Sequence, residues 1–286
     1  TIIQPLRADW QEVQDLAELN LQEGEDAKAL DVVLAFHRKL CTTRVLDPAC
    51  GTGNFLYVSF ELMKKLEGEV LGAITDLGGT PSRYQDFPQE TLGVMKGQRL
   101  ARNRGRFSVG PQQFYGLEIN PRAVVIADLV LWIGYLKWQI ATSGLEAIYE
   151  PVLDAYGTIK EQDSVLKCDR QEILKDENGK PLSRWDGVTK KLHPITGEEI
   201  PDADAQMPLY KYVNPKPAQW PEAEFIVGNP PFIGNKRMIQ RLGEEYVKTL
   251  RQCYREVPDS VDFVMYWWWQ ASQSVAKQKT RLFGLV

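Results

Sequence analysis

The sequence predicts an α/β fold, and three stretches predict it. A short apolar strand, Arg44-Val45-Leu46, runs into Asp47-Pro48-Ala49-Cys50-Gly51-Thr52-Gly53-Asn54-Phe55; a second, Gln113 to Leu117, ends in Glu118-Ile119-Asn120-Pro121; a third, Ile226-Val227-Gly228, enters Asn229-Pro230-Pro231-Phe232. Strands that alternate with helical patterns favour a parallel sheet.

Upstream of the first strand, Asp9, Glu12 and the apolar positions Val13, Leu16 and Leu19 suggest a capped helix, and Asp26 to Leu40 a second. Residues 1–42 therefore read as N-terminal helices leading into a core over 43–286. His37 shares an apolar helix face with Leu30, Val33, Leu34 and Leu40, which points to a structural role.

Past the glycine turn, Asn54 to Leu66 carries Phe55, Val58, Phe60, Leu62, Met63 and Leu66 at helical spacing. A helix beginning at such a corner presents unpaired N–H groups and partial positive charge, which suits a carboxylate or a phosphate. The turn lacks the Gly-Lys-Ser/Thr of a P-loop and the third glycine of a dinucleotide fingerprint. Glu118, at the tip of the second strand, stands where a carboxylate accepts hydrogen bonds from both ribose hydroxyls of a nucleoside held at the first turn. Alone, it would serve as a favourable charge at a helix N-terminus. Asn120 then suits an N-cap and Pro121 the first helical position.

An insertion is expected at about 68–111, and Thr91 to Leu117 carries Lys96, Arg99, Arg102, Arg104 and Arg106 without an acidic residue before Glu118. The helix after Pro121 holds Val124, Val125, Ile126, Leu129, Val130, Leu131, Trp132, Ile133, Tyr135 and Leu136 and is expected to be buried on nearly every side. A membrane span needs roughly 20 apolar residues in a row, and Asp128 and Lys137 interrupt this run. A third strand is expected near Thr158 to Lys160. A second, polar insertion covers about 167–221, where Asn178-Gly179, Asp186-Gly187 and Thr196-Gly197 suggest short hairpins. Leu282 to Val286 reads as a buried strand.

With 286 residues, 43% hydrophobic and 25% charged, the chain can bury a substantial core. Thirty-four basic residues against 38 acidic ones leave a net charge of −4, so no global attraction to phosphate exists and any nucleic-acid contact must be local. Lys236, Arg237 and Arg241, just after Asn229-Pro230-Pro231-Phe232, form the better patch; the Lys96 to Arg106 run reads equally well as a solvated loop. Cys41, Cys50, Cys168 and Cys253 show no zinc-like spacing, and two histidines make a histidine metal site improbable, so no metal is expected. No secretory pattern is recognisable, and the cytoplasm is the expected location.

Taken in order, Asp47 to Phe55, Phe114-Tyr115-Gly116-Leu117-Glu118-Ile119-Asn120-Pro121 and Gly228-Asn229-Pro230-Pro231-Phe232 resemble the γ-class S-adenosylmethionine-dependent DNA adenine-N6 methyltransferases. The likeness is closest to the methylase core of single-chain restriction-modification enzymes and of phage-defence enzymes of the DISARM kind. Val257-Pro258-Asp259-Ser260-Val261-Asp262-Phe263-Val264-Met265-Tyr266-Trp267 resembles the segment that follows their catalytic motif.

The resemblance implies a Rossmann-like, doubly wound, mostly parallel sheet of the class I methyltransferase type. It also implies that Asp47, Pro48, Ala49, Cys50, Gly51, Thr52, Gly53, Asn54 and Phe55 hold the methionine part of S-adenosylmethionine, with Glu118, Ile119 and Asn120 at its ribose. Asp163 and Ser164 match the motif that meets the cofactor adenine, although an Asp-Ser pair at a strand end also serves as a turn or cap. Both ends read as cut: a Tyr-Thr-Pro-like motif would lie upstream, with further strands and the target-recognition domain downstream. Such a piece would carry a shortened sheet, and inactivity in isolation would leave the parent enzyme's activity untouched. Double-stranded DNA, the missing recognition domain and other defence subunits are the implied partners; a membrane is not.

The chemistry of an exocyclic amine explains the Asn-Pro-Pro-aromatic motif. The adenine N6 lone pair is delocalised into the ring until acceptors localise it. The Asn229 side-chain oxygen and the Pro230 carbonyl would each accept one N6–H, proline stiffening the turn that aims the carbonyl, while Phe232 offers a flat face. In-line displacement then needs no covalent intermediate. A base inside a duplex must first be flipped out. A methyltransferase acting on a protein glutamine or an RNA base would use the same motif, and a noncatalytic methylase-like binding module is the alternative from a different class.

Overall fold

Runs of apolar residues buried on both faces build the centre of a five-stranded sheet. The structure, a computed structural model, describes residues 1–80, 108–143, 157–187 and 189–286. Its sheet strands are β1 (Val45–Asp47), β2 (Phe114–Glu118), β3 (Ile159–Glu161), β4 (Phe225–Gly228) and β5 (Leu282–Leu285), arranged β3-β2-β1-β4-β5 with every neighbour parallel. Every residue of β1 and β4 is buried, as central strands of a parallel sheet require. This strand order changes direction between β1 and β4, the arrangement of a Rossmann-like fold, so the expected α/β class is found.

Contacts divide the described chain into two compact units: 1–162 with 221–229 and 273–286, and 163–220 with 230–272. The first contains the sheet and the helices α1 (Ile3–Gln22), α2 (Asp26–Thr42), α3 (Asn54–Asp76) and α4 (Pro121–Ser143). The second contains α5 (Asn235–Leu242), α6 (Glu244–Cys253) and most of α7 (Met265–Ala276).

Several elements differ from the sequence expectation. Helix α1 begins at Ile3, not near Asp9, and buries Leu6, Trp10 and Ala17 while Leu16 and Leu19 stay exposed. Trp10 decides this rotation by stacking on Phe36 of α2, ring centroids 5.2 Å apart. Asp9 caps nothing; it pairs with Lys39 and, through both carboxylate oxygens, with Arg281. Helix α3 runs on to Asp76 because Val70 and Ile74 extend its buried stripe past Gly68 and Gly72, so the first insertion starts later than 68.

Helix α4 is not buried all round. Ala127, Leu131 and Trp132 face the core, whereas Val125, Ile126, Leu129 and Ile133 are exposed among the described residues. It is long and apolar enough to cross a bilayer by length and composition, yet its inner face packs on the sheet unit: a Cβ on Gly134 would lie 2.6 Å from the Tyr57 ring.

The polar stretch between β3 and β4 folds into an antiparallel ribbon within the second unit. Leu166–Lys167 pairs with Lys216–Pro217, Arg170–Ile173 with Tyr210–Val213, Ser183–Trp185 with Gln206–Pro208, and Lys190–Leu192 with Glu199–Pro201. Asn178-Gly179 and Thr196-Gly197 lie at reversals, as their residue types predict. Asp186-Gly187 does not close a hairpin: the strands on either side of it pair with other partners, and it forms a bend. At the ribbon's base, the Tyr254 hydroxyl donates to the Val165 carbonyl at 2.6 Å, and Trp220 and Gln270 both donate to the Ser164 carbonyl.

One buried ionic cluster ties α2, α3 and the chain before β2 together. Lys64 Nζ lies 2.5 Å from Glu67 Oε2 and donates to the Ser108 hydroxyl and the Val109 carbonyl, while the Val109 N–H donates to Glu67 Oε1 at 2.9 Å. His37 Nε2 and Cys41 Sγ stand 3.4 and 3.7 Å from that same oxygen, a grouping of metal-ligand type. The Lys64 ammonium already supplies the positive charge that balances Glu67, so the cluster reads as an internal ion pair. Removing one member leaves an unpaired buried charge. Lys64→Ala is expected to cost about 3–5 kcal/mol in urea unfolding, and Lys64→Met with Glu67→Leu much less than that.

Candidate functional site

The C-terminal ends of β1 and β4 lie side by side where the strand order reverses, the place at which open α/β sheets hold ligands. From β1 the chain enters the glycine corner. Gly51 and Gly53 have φ of +52° and +84°, and a Cβ on Gly53 would also come within 3.1 Å of Ala127 on α4. Both constraints favour glycine at that position.

The corner is tied to β2. The Cys50 N–H donates to the Leu117 carbonyl at 3.1 Å, and the Gly51 N–H donates to Glu118 Oε2 at 3.0 Å. The other Glu118 oxygen accepts the Asn120 N–H at 2.8 Å. Asn120 Oδ1 accepts the Arg122 N–H at 3.0 Å, so Asn120 caps α4, with Pro121 as its first residue, as the sequence predicts. Ile119 and Phe55 offer apolar surface to solvent beside these polar groups, and Thr52 and Asn54 are exposed. Pro48 is buried and Ala49 half-buried.

Asp47 is the most perturbed acid of the corner. Its Oδ1 accepts the Ala49 N–H at 3.0 Å, whereas Oδ2 is buried with no hydrogen-bond partner among the described residues. Burial pushes its carboxyl up to about 7; the Ala49 N–H opposes the shift and the Glu118 charge adds to it. Burial, reinforced by the Asp47 and Glu118 charges, raises the Cys50 thiol far above its ordinary value and keeps it protonated.

Gly228, the last residue of β4, brings Asn229 to this corner. A Cβ at 228 would lie 2.5 Å from Asp47 Oδ1, so the approach of the two strand ends requires glycine. Asn229 is exposed and its side chain is bonded to no described residue. Asp47 to Phe55, Glu118 to Asn120 and Asn229 thus share one unit and one end of the sheet.

Pro230, Pro231 and Phe232 follow in the second unit, Pro230 buried and Phe232 68% exposed, which leaves a free ring face. Asp163 and Ser164 also belong to the second unit. Asp163 Oδ1 accepts the Val165 and Leu166 N–H groups, and Oδ2 accepts the Tyr246 hydroxyl at 2.7 Å. That carboxylate holds a turn, and burial beside it raises the Tyr246 hydroxyl well above its usual range. Lys236, Arg237 and Arg241 are exposed on α5, unpaired among the described residues, with Arg237 and Arg241 one turn apart. The Lys96 to Arg106 run lies outside the described residues.

A cleft of about 520 Å³ opens near the start of β1, β4 and β5, lined by Arg44, Glu222, Lys279 and Arg281 among others. It lies at the N-terminal ends of the strands, opposite the end at which such sheets hold ligands, and two of its cations are paired, Lys279 with Glu222 and Arg281 with Asp9.

Sequence reasoning marked the Val257 to Trp267 stretch but gave Asp262 no role, and it missed Arg251; both hold the chain that follows Phe232. Asp262 Oδ1 accepts the Asn235 N–H, and Arg251 donates to Asn235 Oδ1, each at 2.8 Å. No local spacing marks them, because the contacts span 27 and 16 residues.

A parallel sheet in this order, with a glycine corner at its reversal and a carboxylate on the neighbouring strand, defines a Rossmann-like domain. The family described as MmeI, DNA-methyltransferase domain, matches residues 20–286, and the chain belongs to that family. DNA methyltransferase A of Bacillus subtilis (strain 168) is 23% identical over 228 residues, 79% of this chain and 18% of that protein. The Type IIL restriction-modification enzyme MmeI, solved in complex with DNA, superposes with a TM-score of 0.49 and 17% identity over 96% of this chain and 28% of its own. The chain therefore spans less than a third of either relative's length.

The Asp47 carboxyl gives the corner a pH signature. The folded chain holds its proton up to about pH 7, whereas an unfolded aspartate releases it near about 3.9. Its contribution to stability is therefore greatest below the lower value, falls as the pH rises between the two, and is flat above. Asp47→Asn is expected to gain on the wild type by about 1 kcal/mol or more between pH 5 and pH 8, read from urea midpoints at both.

Proposed function

We propose that this domain transfers a methyl group from S-adenosylmethionine to N6 of an adenine flipped out of double-stranded DNA, within a restriction-modification or phage-defence enzyme. The observation that carries this reading is Asn229, exposed and with its side chain bonded to no described residue, one position beyond the close approach of Gly228 to Asp47 where the strand order reverses. Family membership supports methyl transfer and DNA as the substrate class.

The corner's residues fit the cofactor. The orphaned Asp47 Oδ2 calls for a cationic donor, and the ammonium of the methionine part is one. Such a partner would draw the carboxyl back toward its ionised form. Glu118, Ile119 and Asn120 would receive the ribose, and Thr52, Asn54 and Phe55 line the exposed start of α3. The resemblance assigns Asp163 and Ser164 to the cofactor adenine, although the Asp163 carboxylate already accepts the Val165 and Leu166 N–H groups and the Tyr246 hydroxyl. When bound, the cofactor supplies a methyl group on a sulfonium centre.

The chain's own residues do the rest. Asn229 Oδ1 and the Pro230 carbonyl accept the two N6–H groups, which localises the nitrogen lone pair. Pro231 stiffens the turn, and Phe232 stacks on the extruded base. Lys236, Arg237 and Arg241 neutralise nearby phosphates. Cys50, protonated and buried, takes no part as a nucleophile.

In the protein carrying this chain, Asn229→Ala is expected to lower single-turnover transfer of labelled methyl to duplex DNA by about 10²-fold or more. Phe232→Ala should weaken capture of a fluorescent adenine analogue by about 1–3 kcal/mol. Wild-type-like turnover of Asn229→Ala, or transfer to RNA or protein in place of DNA, would sink the reading. Charge reversal at Arg237 and Arg241 should weaken DNA binding at all sequences and flatten its salt dependence by about one to two counterions, measured by titration at several salt concentrations.

A further inference from the structure

The four residues Asn229 to Phe232 carry no hydrogen bonds of their own among the described residues, yet the chain immediately after them is held at three points. The Phe263 N–H donates to the Ile233 carbonyl at 2.9 Å. The Asn235 N–H donates to Asp262 Oδ1, and Arg251 Nη2 donates to both Asn235 Oδ1 and the Asp259 carbonyl, all three at 2.8 Å. Phe263 is buried and anchors the bracing segment, its ring centroid 4.8 Å from that of Trp267 and 6.2 Å from that of Tyr246.

The N-cap position of α5 makes this brace necessary. It is Gly234, which has no side chain with which to satisfy the first N–H groups of the helix. Asp262, 27 residues beyond Asn235, supplies the missing acceptor from outside, and its negative charge suits a helix N-terminus.

We infer that Asp262 and Arg251 are positioning residues: they fix where α5 begins, and through Ile233 and Gly234 they set the direction in which the Asn229 side chain and Pro230 carbonyl point. This rests on the proposed amine-gripping role of those two groups. Asp262 and Arg251 act through the loop: their bonds go to Asn235 and the Asp259 carbonyl. Their contribution lies in holding a loop whose acceptors must remain free for substrate, since any internal bond that rigidified Asn229 would also occupy it.

The test uses the protein carrying this chain. Asp262→Ala should lower the single-turnover methylation rate by about 10-fold or more, the scale of a misaimed hydrogen-bonding group, while S-adenosylmethionine affinity stays within about 2-fold because the corner lies in the other unit. Asp262→Asn, whose amide oxygen accepts the same bond, should retain most of the rate. Gly234→Ser added to Asp262→Ala should recover part of it, since a Ser N-cap fixes the same helix start by accepting the N–H of the second or third helical residue in place of that of Asn235, position 234 has ordinary extended dihedrals and only Asp262 Oδ1 stands near its Cβ. Hydrogen exchange over 229–240 should quicken in Asp262→Ala and slow again in the double variant.

An active wild type with an Asp262→Ala rate within about 2-fold of it overturns the brace alone. So does equal loss of rate, cofactor affinity and thermal midpoint without rescue by serine, which marks general destabilisation. A wild type that binds cofactor but methylates no DNA overturns the proposed function and this role with it, whatever the exchange data show.

Discussion

Two strand ends that meet without room for a methyl group govern the site. Gly228 lets β4 come so close to Asp47 that a Cβ would collide with its carboxylate, and the next residue is Asn229. The same contact helps to strip Asp47 of water, which raises its carboxyl to about 7 and leaves one oxygen without a hydrogen-bond partner among the described residues. Closeness, burial and an unmet hydrogen-bonding demand arise together, and the site depends on all three.

Much of this was legible in the sequence because it is local. Strand, glycine turn and helix follow one another over Arg44 to Leu66, and Asn120-Pro121 starts α4 through contacts between neighbours in the chain. What stayed hidden depends on partners distant in sequence. The rotation of α1 is set by Trp10 against Phe36, and the continuation of α3 past two glycines by burial of Val70 and Ile74, which outweighs low helix propensity. The all-round apolar pattern of α4 suggested full burial, but composition says nothing about how many sides have neighbours. The Asp186-Gly187 turn signal was genuine; which strands paired around it was not encoded locally.

The second unit shows how a polar segment becomes ordered with few large aliphatic side chains. Its ribbon is held by cross-strand pairing along its length and by aromatic groups at its base, where Tyr246 and Tyr254 direct hydroxyls to Asp163 and to the Val165 carbonyl. Each hydroxyl replaces water, for a half-buried carboxylate in one case and a buried carbonyl in the other, and each ring adds edge contacts, among them Tyr254 with Tyr266 at 5.2 Å. Asp163 thereby combines the turn-holding duty that an Asp-Ser pair suggests with a tie to Tyr246 that spans 83 residues and that its local sequence did not reveal.

The corner's cysteine gives the domain chemical resilience. Thiolates, not thiols, react with peroxide and alkylating agents, and Cys50 is kept in the thiol form by burial between two carboxylates. A cell under oxidative stress would therefore find little at this turn to modify. Among the cysteines of this chain, the half-exposed Cys168 and Cys253 are the ones a thiol reagent would meet first.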